Sequence, residues 1–260
     1  MEKPLITSLS NPLIKQARAL RQKKARLESG SFLVEGIHHV GEAVNAGWHV
    51  ESVLFAPDLL TSNFAHDLIS RLKTTPQPVS AQVMESLSDK DNPQGILAVV
   101  RQKKTQLKEL KRLECAAAIV SPQDPGNVGT ILRTLDAVGA DALFLLDGGV
   151  DLYHPTTVRA SMGTIFWKPV VQTSFDEFVR WSHEGNRQLI GTSAHGEVEY
   201  QTFVPNPPWI LVLGNEQKGL SAEQTKACDV TVSLPMKGRV SSLNLAVAAG
   251  VLLYQFCDKT

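Results

Sequence analysis

The chain has 260 residues, of which 43% are hydrophobic and 20% charged, and its 26 Lys and Arg balance its 26 Asp and Glu. This composition is that of an ordinary globular protein of one large or two modest domains, and a net charge of zero points to no class of partner. The three cysteines fit no zinc or disulfide spacing, so we expect buried thiols and no metal site. The start of the chain lacks the apolar segment of a signal peptide, and no apolar run is long enough to span a membrane. We therefore expect a cytoplasmic protein.

The first part of the chain, residues 1–105, is predicted to be a small α/β unit. Asn11 followed by Pro12 is typical of a helix start, and apolar residues continue at helical spacing. This predicted apolar stripe consists of Leu13, Ala17, Leu20 and Leu27. Short apolar segments over 32–36 and 95–102 favour strands.

The predicted first helix is strongly basic, because residues 15–26 contain six Lys and Arg and no acid. Such a segment suits a polyanion, although a solvated helix face has the same composition.

From residue 106 onward, apolar strands alternate with helices, after a charged connection over 103–114. Segments 187–194 and 208–216 show no alternation of apolar and polar residues, which is typical of strands buried on both faces. The pattern predicts an α/β fold with a mostly parallel sheet covered by helices on both sides. A closing helix is apolar on nearly every face and needs cover from its own core or from a partner chain.

Several enzyme classes are disfavoured by missing motifs. The turn "SPQDPGNVGTILRT" has no G-x-G-x-x-G and no Walker lysine, and no G-x-S-x-G occurs, which argues against dehydrogenases, nucleoside triphosphatases and serine hydrolases. Three glycine-containing loops follow predicted strands instead: "DPGNVGTILR", "LGNEQKGLS" and "LPMKGRVSSLN". Each alone could be turn chemistry. Together they are predicted to meet at one edge, because ligands bind at the carboxyl ends of parallel strands.

These three loops resemble the three sequence motifs of the SpoU (TrmH) family of S-adenosylmethionine-dependent RNA ribose methyltransferases. The first motif is Asn127-x-Gly129-x-x-x-Arg133, and the second and third are "LVLGNEQKGLS" and "LPMKGRVSSLNLAVAAG". The resemblance covers roughly residues 110–260. In the front segment, "GSFLVEGIHHVGEAV" is similar to the L30e-related substrate-binding domain that precedes the catalytic domain in many members.

The resemblance implies two domains, an L30e-like RNA-binding domain over 1–105 and a knotted methyltransferase domain over 106–260. It also implies a C-terminal trefoil knot, a homodimer with active sites near the subunit interface, and S-adenosylmethionine as the cofactor. Main-chain contacts from the three loops would hold the adenine, since small residues let backbone approach a ligand. We map these contacts onto Gly214, Leu234, Leu243 and Thr192.

The family pattern places Arg133 at the reacting centre, as proton acceptor or as a clamp on the target phosphate. The second role is easier physically, because arginine stays protonated near pH 7. Asn127 would orient Arg133 or the RNA and could also cap its helix. Glu216 would pair with Arg133 or with polar residues of the third motif.

Two residues of the third motif complete the implied catalytic set. Ser242 could serve the site or cap the last helix, and Asn244 could contact the substrate ribose or phosphate. In the front domain, the candidates for phosphate contacts are Lys15, Arg18, Arg21 and Lys24. Such contacts do not distinguish one base from another.

The resemblance therefore implies methyl transfer to a ribose 2′-hydroxyl. By analogy with members that have an L30e-like front domain, ribosomal RNA is the expected substrate. Transfer RNA is one alternative, and a non-catalytic RNA-binding protein of the same fold is another. The intact motifs favour the enzyme.

Overall fold

The computed structural model describes residues 3–60, 62–72, 74–89, 92–194 and 196–259. The chain forms two compact units. The first comprises the chain up to Lys103 together with Tyr153–Trp167, and the second comprises Lys104–Leu152 and the chain from Lys168 onward. The predicted boundary after residue 105 leaves 153–167 in the second domain, whereas the structure groups this segment with the first unit.

The regular elements alternate along most of the chain. The strands are β1 Ser31–Glu35, β2 Val50–Phe55, β3 Gln77–Pro78, β4 Ile96–Arg101, β5 Cys115–Val120, β6 Ala142–Leu146, β7 Val170–Thr173, β8 Gln188–Thr192, β9 Val198–Glu199, β10 Trp209–Leu213 and β11 Val230–Ser233. The α-helices are α1 Pro12–Ala19, α2 Lys23–Ser29, α3 Ile37–Asn45, α4 Asn63–Ser70, α5 Ala81–Leu87, α6 Pro125–Ala137, α7 Pro155–Ala160, α8 Phe175–Glu184, α9 Ala222–Lys226 and α10 Leu245–Cys257. In the described ranges, no helix combines the length and the apolarity that crossing a membrane requires.

The first unit is built on a four-stranded sheet of order β1-β4-β2-β3. Strand β4 is antiparallel to β1 and β2, and β3 runs parallel to β2. The side chain of Asn11 accepts a hydrogen bond from the N–H of Leu13 at 2.9 Å, which confirms the predicted start of α1. The apolar face of α1, with Ile14 and Ala17, packs into a core with β2, β4 and α5.

The basic segment is two helices rather than one. Helix α1 ends at Ala19 and α2 begins at Lys23, so the helical phase is lost between them. Leu27, predicted on the apolar stripe, is 67% exposed, whereas Arg26 of the basic segment is only 1% exposed. The Arg26 guanidinium donates to the carbonyls of Leu20 and Arg21, each at 2.8 Å. The prediction of one continuous amphipathic helix was therefore wrong at its C-terminal half.

The second unit is a seven-stranded sheet of order β7-β6-β5-β10-β8-β11-β9, and the strand pairs in it are parallel. This confirms the predicted mostly parallel α/β sheet. Strand β10 is buried throughout and β8 is buried except at its two ends, which agrees with the prediction for 208–216 and 187–194. Strands β5 and β6 are also almost entirely buried. Helix α8 contributes Phe175 and Phe178 to the core, and α10 packs against α6 and β10.

Candidate functional site

The three motif loops of the second unit line one cavity of about 880 Å³. Its walls come from the segments that follow β8, β10 and β11 and from the first turns of α6 and α10. These segments follow the carboxyl ends of parallel strands, where ligands bind in open α/β sheets. A cavity of this size suits a nucleotide-sized molecule.

Glu216 of the second motif holds the loop that leads into α6. Its carboxylate accepts hydrogen bonds from the backbone N–H of Gln123 at 3.1 Å and of Asp124 at 3.2 Å. The amide Nδ2 of Asn127 lies 3.4 Å from Oε1 of the same carboxylate and donates to it. Glu216 thus ties the second motif to both the backbone and a side chain of the first.

Asn127 continues this chain of hydrogen bonds to the third motif. Its Oδ1 accepts from Nδ2 of Asn244 at 3.0 Å. The Oδ1 of Asn244 in turn accepts from the N–H groups of Ala246 and Val247, so Asn244 caps α10. The relay Glu216–Asn127–Asn244 therefore connects residues that are far apart along the chain, and all three line the cavity.

Two helix caps differ from the expectations. The cap of α6 is Asp124, whose Oδ1 accepts from the N–H of Gly126 and of Asn127, so Asn127 lies inside the helix and is buried. The Asp-Pro pair at the helix start could have revealed this. Ser242 lines the cavity but does not cap α10, because Asn244 does.

The second motif forms a tight loop around the Asn215 side chain. Its Oδ1 accepts from the N–H of Gln217 at 3.0 Å and of Lys218 at 3.2 Å, and its Nδ2 donates to the carbonyl of Ser121 at 2.8 Å. A Cβ on Gly214 would lie 2.3 Å from the carbonyl carbon of Gly219, so only glycine allows this close approach of backbone.

The predicted cofactor residues Gly214, Leu234, Leu243 and Thr192 all line the cavity. The Thr192 hydroxyl already donates to the carbonyl of Val212 at 3.1 Å. Met236 also lines the cavity and was not among the predicted contacts. Apolar side chains and glycine backbone therefore surround the space that the relay borders.

Arg133 lies apart from the other predicted catalytic residues. It is exposed and is not among the residues that line the cavity. Six residues along an α-helix advance about 9 Å and turn about 240°, so Arg133 projects from a different face of α6 than Asn127. Of the two partners expected for Glu216, Arg133 forms no ion pair with it among the described residues, and Glu216 reaches the third motif only through Asn127.

The predicted phosphate-contacting residues of the first unit differ in availability. Lys15 and Lys24 are exposed, and Lys24 lies 3.9 Å from Glu28. Arg18 donates to the hydroxyl of Ser86 at 2.9 Å, and Arg21 pairs with Asp89. The two arginines thus attach the basic segment to α5 and its C-terminal loop.

No group of three or more His, Cys, Asp or Glu side chains capable of holding a metal ion occurs among the residues that the structure describes.

Comparisons with known proteins place the chain among RNA methyltransferases. The SpoU rRNA Methylase family matches residues 114–254, and the MRM3-like substrate binding domain matches residues 11–98. The chain is 34% identical over 246 residues to the 23S rRNA (uridine(2479)-2′-O)-methyltransferase of Streptomyces viridochromogenes, across 91% of this chain and 85% of that protein. It is 30% identical over 249 residues to the 23S rRNA (guanosine(2553)-2′-O)-methyltransferase RlmP of Bacillus subtilis (strain 168), across 96% of this chain and 97% of that one.

A solved structure of the same family superposes on nearly the whole of this chain. The SpoU methyltransferase AviRb from Streptomyces viridochromogenes, crystallised with the cofactor AdoMet, has a TM-score of 0.88 and 32% identity, and the alignment covers 95% of this chain and 97% of that one. The family resemblance predicted from the three motifs is confirmed, and the chain belongs to the SpoU rRNA methylase family.

Proposed function

We propose that this chain transfers a methyl group from S-adenosylmethionine to a ribose 2′-hydroxyl of 23S ribosomal RNA. The observation that carries the proposal is the Glu216–Asn127–Asn244 relay, which joins the three family motifs at one cavity. Family membership makes the chain an S-adenosylmethionine-dependent RNA methyltransferase. The substrate follows from the relatives in Streptomyces viridochromogenes and Bacillus subtilis, which are named for 23S rRNA and align over most of this chain.

The cavity fits S-adenosylmethionine in size and chemistry. Leu234 and Leu243 offer apolar surface for a purine, and the Cβ-free backbone at Gly214 lets main-chain groups approach the purine edge. The positive ends of α6 and α10 also border the cavity. These ends favour negative charge, such as the carboxylate of the cofactor or a phosphate of the RNA.

The cofactor, when bound, supplies an electrophilic methyl group on a sulfonium. The chain must align the ribose oxygen with that methyl and assist loss of the hydroxyl proton, and alignment alone contributes up to about 7–11 kcal/mol in ideal cases. Asn127 and Glu216 are positioning residues, because their polar atoms hold the α6 entry and Asn244 in place. Ser242 and Asn244 border the cavity from the third motif and would orient the ribose.

Arg133 acts in this proposal from the second subunit of a homodimer. It is exposed and does not line the cavity of its own chain. The second unit also has an apolar surface, because α10 leaves Val247 51%, Val251 37% and Tyr254 53% exposed at helical spacing while its other face packs on α6 and β10. A second copy covering this stripe would bury it and bring its own Arg133 toward the cavity. There the planar guanidinium would clamp the target phosphate and stabilise charge that develops on the ribose oxygen.

Two further features complete the proposal. The segment between β11 and α10 would be the knotted loop that folds around S-adenosylmethionine. We also infer a cytoplasmic location, because bacterial ribosomes are assembled there and both named relatives are bacterial.

The RNA would be held by the first unit. Lys15 and Lys24 are free to reach phosphates, since an ion pair such as Lys24–Glu28 between exposed groups contributes little. Arg18 and Arg21 would act mainly by fixing the basic segment against α5 and the loop that follows it. Replacing both lysines with glutamine should weaken RNA binding and its salt dependence while S-adenosylmethionine affinity stays unchanged.

The test of the proposed function is a map of ribose methylation in total RNA from cells that lack this protein. One 2′-O-methyl group in 23S rRNA should be missing and should return with the wild-type gene but not with Arg133→Ala. Purified Arg133→Ala should still bind S-adenosylmethionine. If the lost methyl group is in transfer RNA, the substrate is transfer RNA and not 23S rRNA. An unchanged RNA map would contradict the proposal.

The role of Arg133 in the second subunit has a separate test. Differently tagged Arg133→Ala and Gly214→Ala chains are co-expressed, and the heterodimer is purified through both tags. If Arg133 acts across the interface, one of the two sites is complete, and about half of wild-type activity is expected. If Arg133 acts within its own chain, both sites are defective and the heterodimer is inactive. A heterodimer of wild type with Arg133→Ala calibrates the half-activity value.

A further inference from the structure

Two of the three cysteines of the second unit meet although they are 142 residues apart in sequence. Cys115 begins β5 and Cys257 ends α10, and their sulfur atoms lie 3.8 Å apart in a hydrogen bond. Both side chains are partly exposed, so a small reagent can reach them. The methyl-transfer site makes no use of either thiol.

We propose that Cys115 and Cys257 form a dithiol that glutathione disulfide, or a thiol oxidant of the same class, converts to an intramolecular disulfide. The bond would attach the C-terminal helix to the first strand of the seven-stranded sheet. This proposal rests on the short distance between the two sulfur atoms and on the partial exposure of both side chains. It does not depend on the methyl-transfer proposal.

The surroundings of the two thiols assign the order of attack. The hydrogen bond from Cys115 lowers the pKa of Cys257, while burial and the charges of Asp258 and Asp141 act in the opposite direction. The pKa of Cys115 is raised, first by the same hydrogen bond and then by burial, against a smaller lowering by Lys168. Cys257 is therefore the thiol that reaches the nucleophilic thiolate form more readily.

The exchange balances in two steps. The Cys257 thiolate attacks one sulfur of glutathione disulfide, which forms a mixed disulfide and releases one glutathione thiolate. Cys115 then loses its proton to solvent and attacks the Cys257 sulfur, which forms the protein disulfide and releases the second glutathione. The two protein thiols are oxidised by two electrons, and one glutathione disulfide is reduced to two glutathione molecules.

The disulfide would fix the end of α10 that is remote from the cavity. Helix α10 has 13 residues and spans about 20 Å, with Asn244 at its cavity end and Cys257 at the other. The relay already holds the first end, so the new bond would fix the second. Cross-links that close long loops restrict the unfolded chain most in the chain-entropy view, so the oxidised protein should have a higher Tm.

The third cysteine is a matched internal control. The thiol of Cys228 donates to the carbonyl of Gln224 at 3.3 Å, and burial together with the charge of Asp229 raises its pKa to about 12. It should resist the same reagent. Cys228→Ser should leave the reaction unchanged, whereas Cys115→Ser should stop at a stable glutathione adduct on Cys257, because the second attacking thiol is missing.

The experiment equilibrates the full-length protein in glutathione buffers of increasing oxidised fraction and counts thiols after acid quenching and denaturation. Two of the three thiols should disappear together, and peptide mapping should find Cys115 joined to Cys257 within one chain. The Tm measured on the oxidised protein should exceed that of the reduced protein. Three remaining thiols, a bond that involves Cys228, a bond between two chains, or a lasting glutathione adduct on the wild type would each overturn the proposal.

Discussion

The contact between the Glu216 carboxylate and Asn127, which links Glu216 to the third motif, can be tested by placing a second negative charge at residue 127. Asn127→Asp replaces the Nδ2 donor, 3.4 Å from Oε1 of Glu216, with a carboxylate oxygen. At that separation two unit charges repel by about 5 kcal/mol at an effective dielectric constant of about 20. Glu216 is partly exposed, so solvent screening reduces the expected penalty to about 2–4 kcal/mol.

The penalty should depend on pH in a defined direction. Repulsion raises the pKa of the folded carboxyl pair above the unfolded value of about 4, so the folded variant keeps a proton that the unfolded chain has released. Stability relative to wild type is therefore retained near pH 4, falls as pH rises, and levels off above the folded pKa. At pH 7–8 we expect the full loss of free energy of unfolding.

Urea unfolding from pH 4.5 to 8, followed by tryptophan fluorescence, measures this dependence. Asn127→Leu is the control: it removes the same hydrogen bonds without adding charge and should lose about 1–3 kcal/mol at every pH. If Asn127→Asp shows a pH-independent loss parallel to that of Asn127→Leu, residue 127 does not face the Glu216 carboxylate, and the relay is refuted.

Gly214→Ala should abolish S-adenosylmethionine binding measured by calorimetry, because its Cβ would lie 2.3 Å from Gly219 backbone, whereas Gly238→Ala, with nothing within 4 Å, should bind as wild type does. Wild-type affinity in Gly214→Ala would remove this loop from the cofactor site. Arg26→Ala should lower the free energy of unfolding by about 3 kcal/mol, because the carbonyls of Leu20 and Arg21 lose their buried charged donor. A loss below about 1 kcal/mol in urea unfolding would show that water replaces the guanidinium there.

The seven-stranded sheet could be predicted from the sequence because its central strands carry their signal locally. Strands β5, β6 and β10 are continuous apolar runs between turn residues, as expected of strands buried on both faces. The short helices α4 and α5 were not predicted. Each begins after a capping serine, Ser62 or Ser80, but a helix of seven or eight residues shows too little periodicity to stand out.

The basic segment shows how one break misplaces every later residue of a helix. The periodicity argument carried the phase of α1 through to residue 27, but the chain leaves the helix at residues 20–22. The new phase buries Arg26 and exposes Leu27. Buried carbonyls at the end of α1 stabilise the arginine, and this tertiary compensation has no signature in a hydrophobic pattern.

The residues that line the cavity were predictable as a group, but Arg133 does not line it, and the individual roles of the others could not be predicted. Asp124, Asn127, Ser242 and Asn244 are all good capping residue types, and the first hydrogen-bonded turn decides which of them caps. Helix α6 is capped by Asp124, three residues before Asn127, and α10 is capped by Asn244, two residues after Ser242. Asn127 therefore does not cap a helix, and its side chain links two motifs. The position of Arg133 depends on a second subunit in our proposal, and one chain's sequence does not specify that geometry.

The order of hydrogen bonds along the relay explains why both linking residues are asparagines. The Glu216 carboxylate can only accept, and the first N–H groups of α10 can only donate, so each linking side chain must donate on one side and accept on the other. A planar amide does both.

Asn244→Asp keeps the cap, which the positive end of α10 favours, but loses the Nδ2 donor to Oδ1 of Asn127. Rotating the Asn127 amide would restore that contact only by turning its oxygen toward Glu216. We therefore expect the free energy of unfolding of Asn244→Asp to lie within about 1 kcal/mol of the wild-type value. Its S-adenosylmethionine affinity and its methyl-transfer rate should each fall at least about tenfold. Wild-type binding and transfer in this variant would mean that Asn244 serves the helix alone and that the three motifs are not coupled through it.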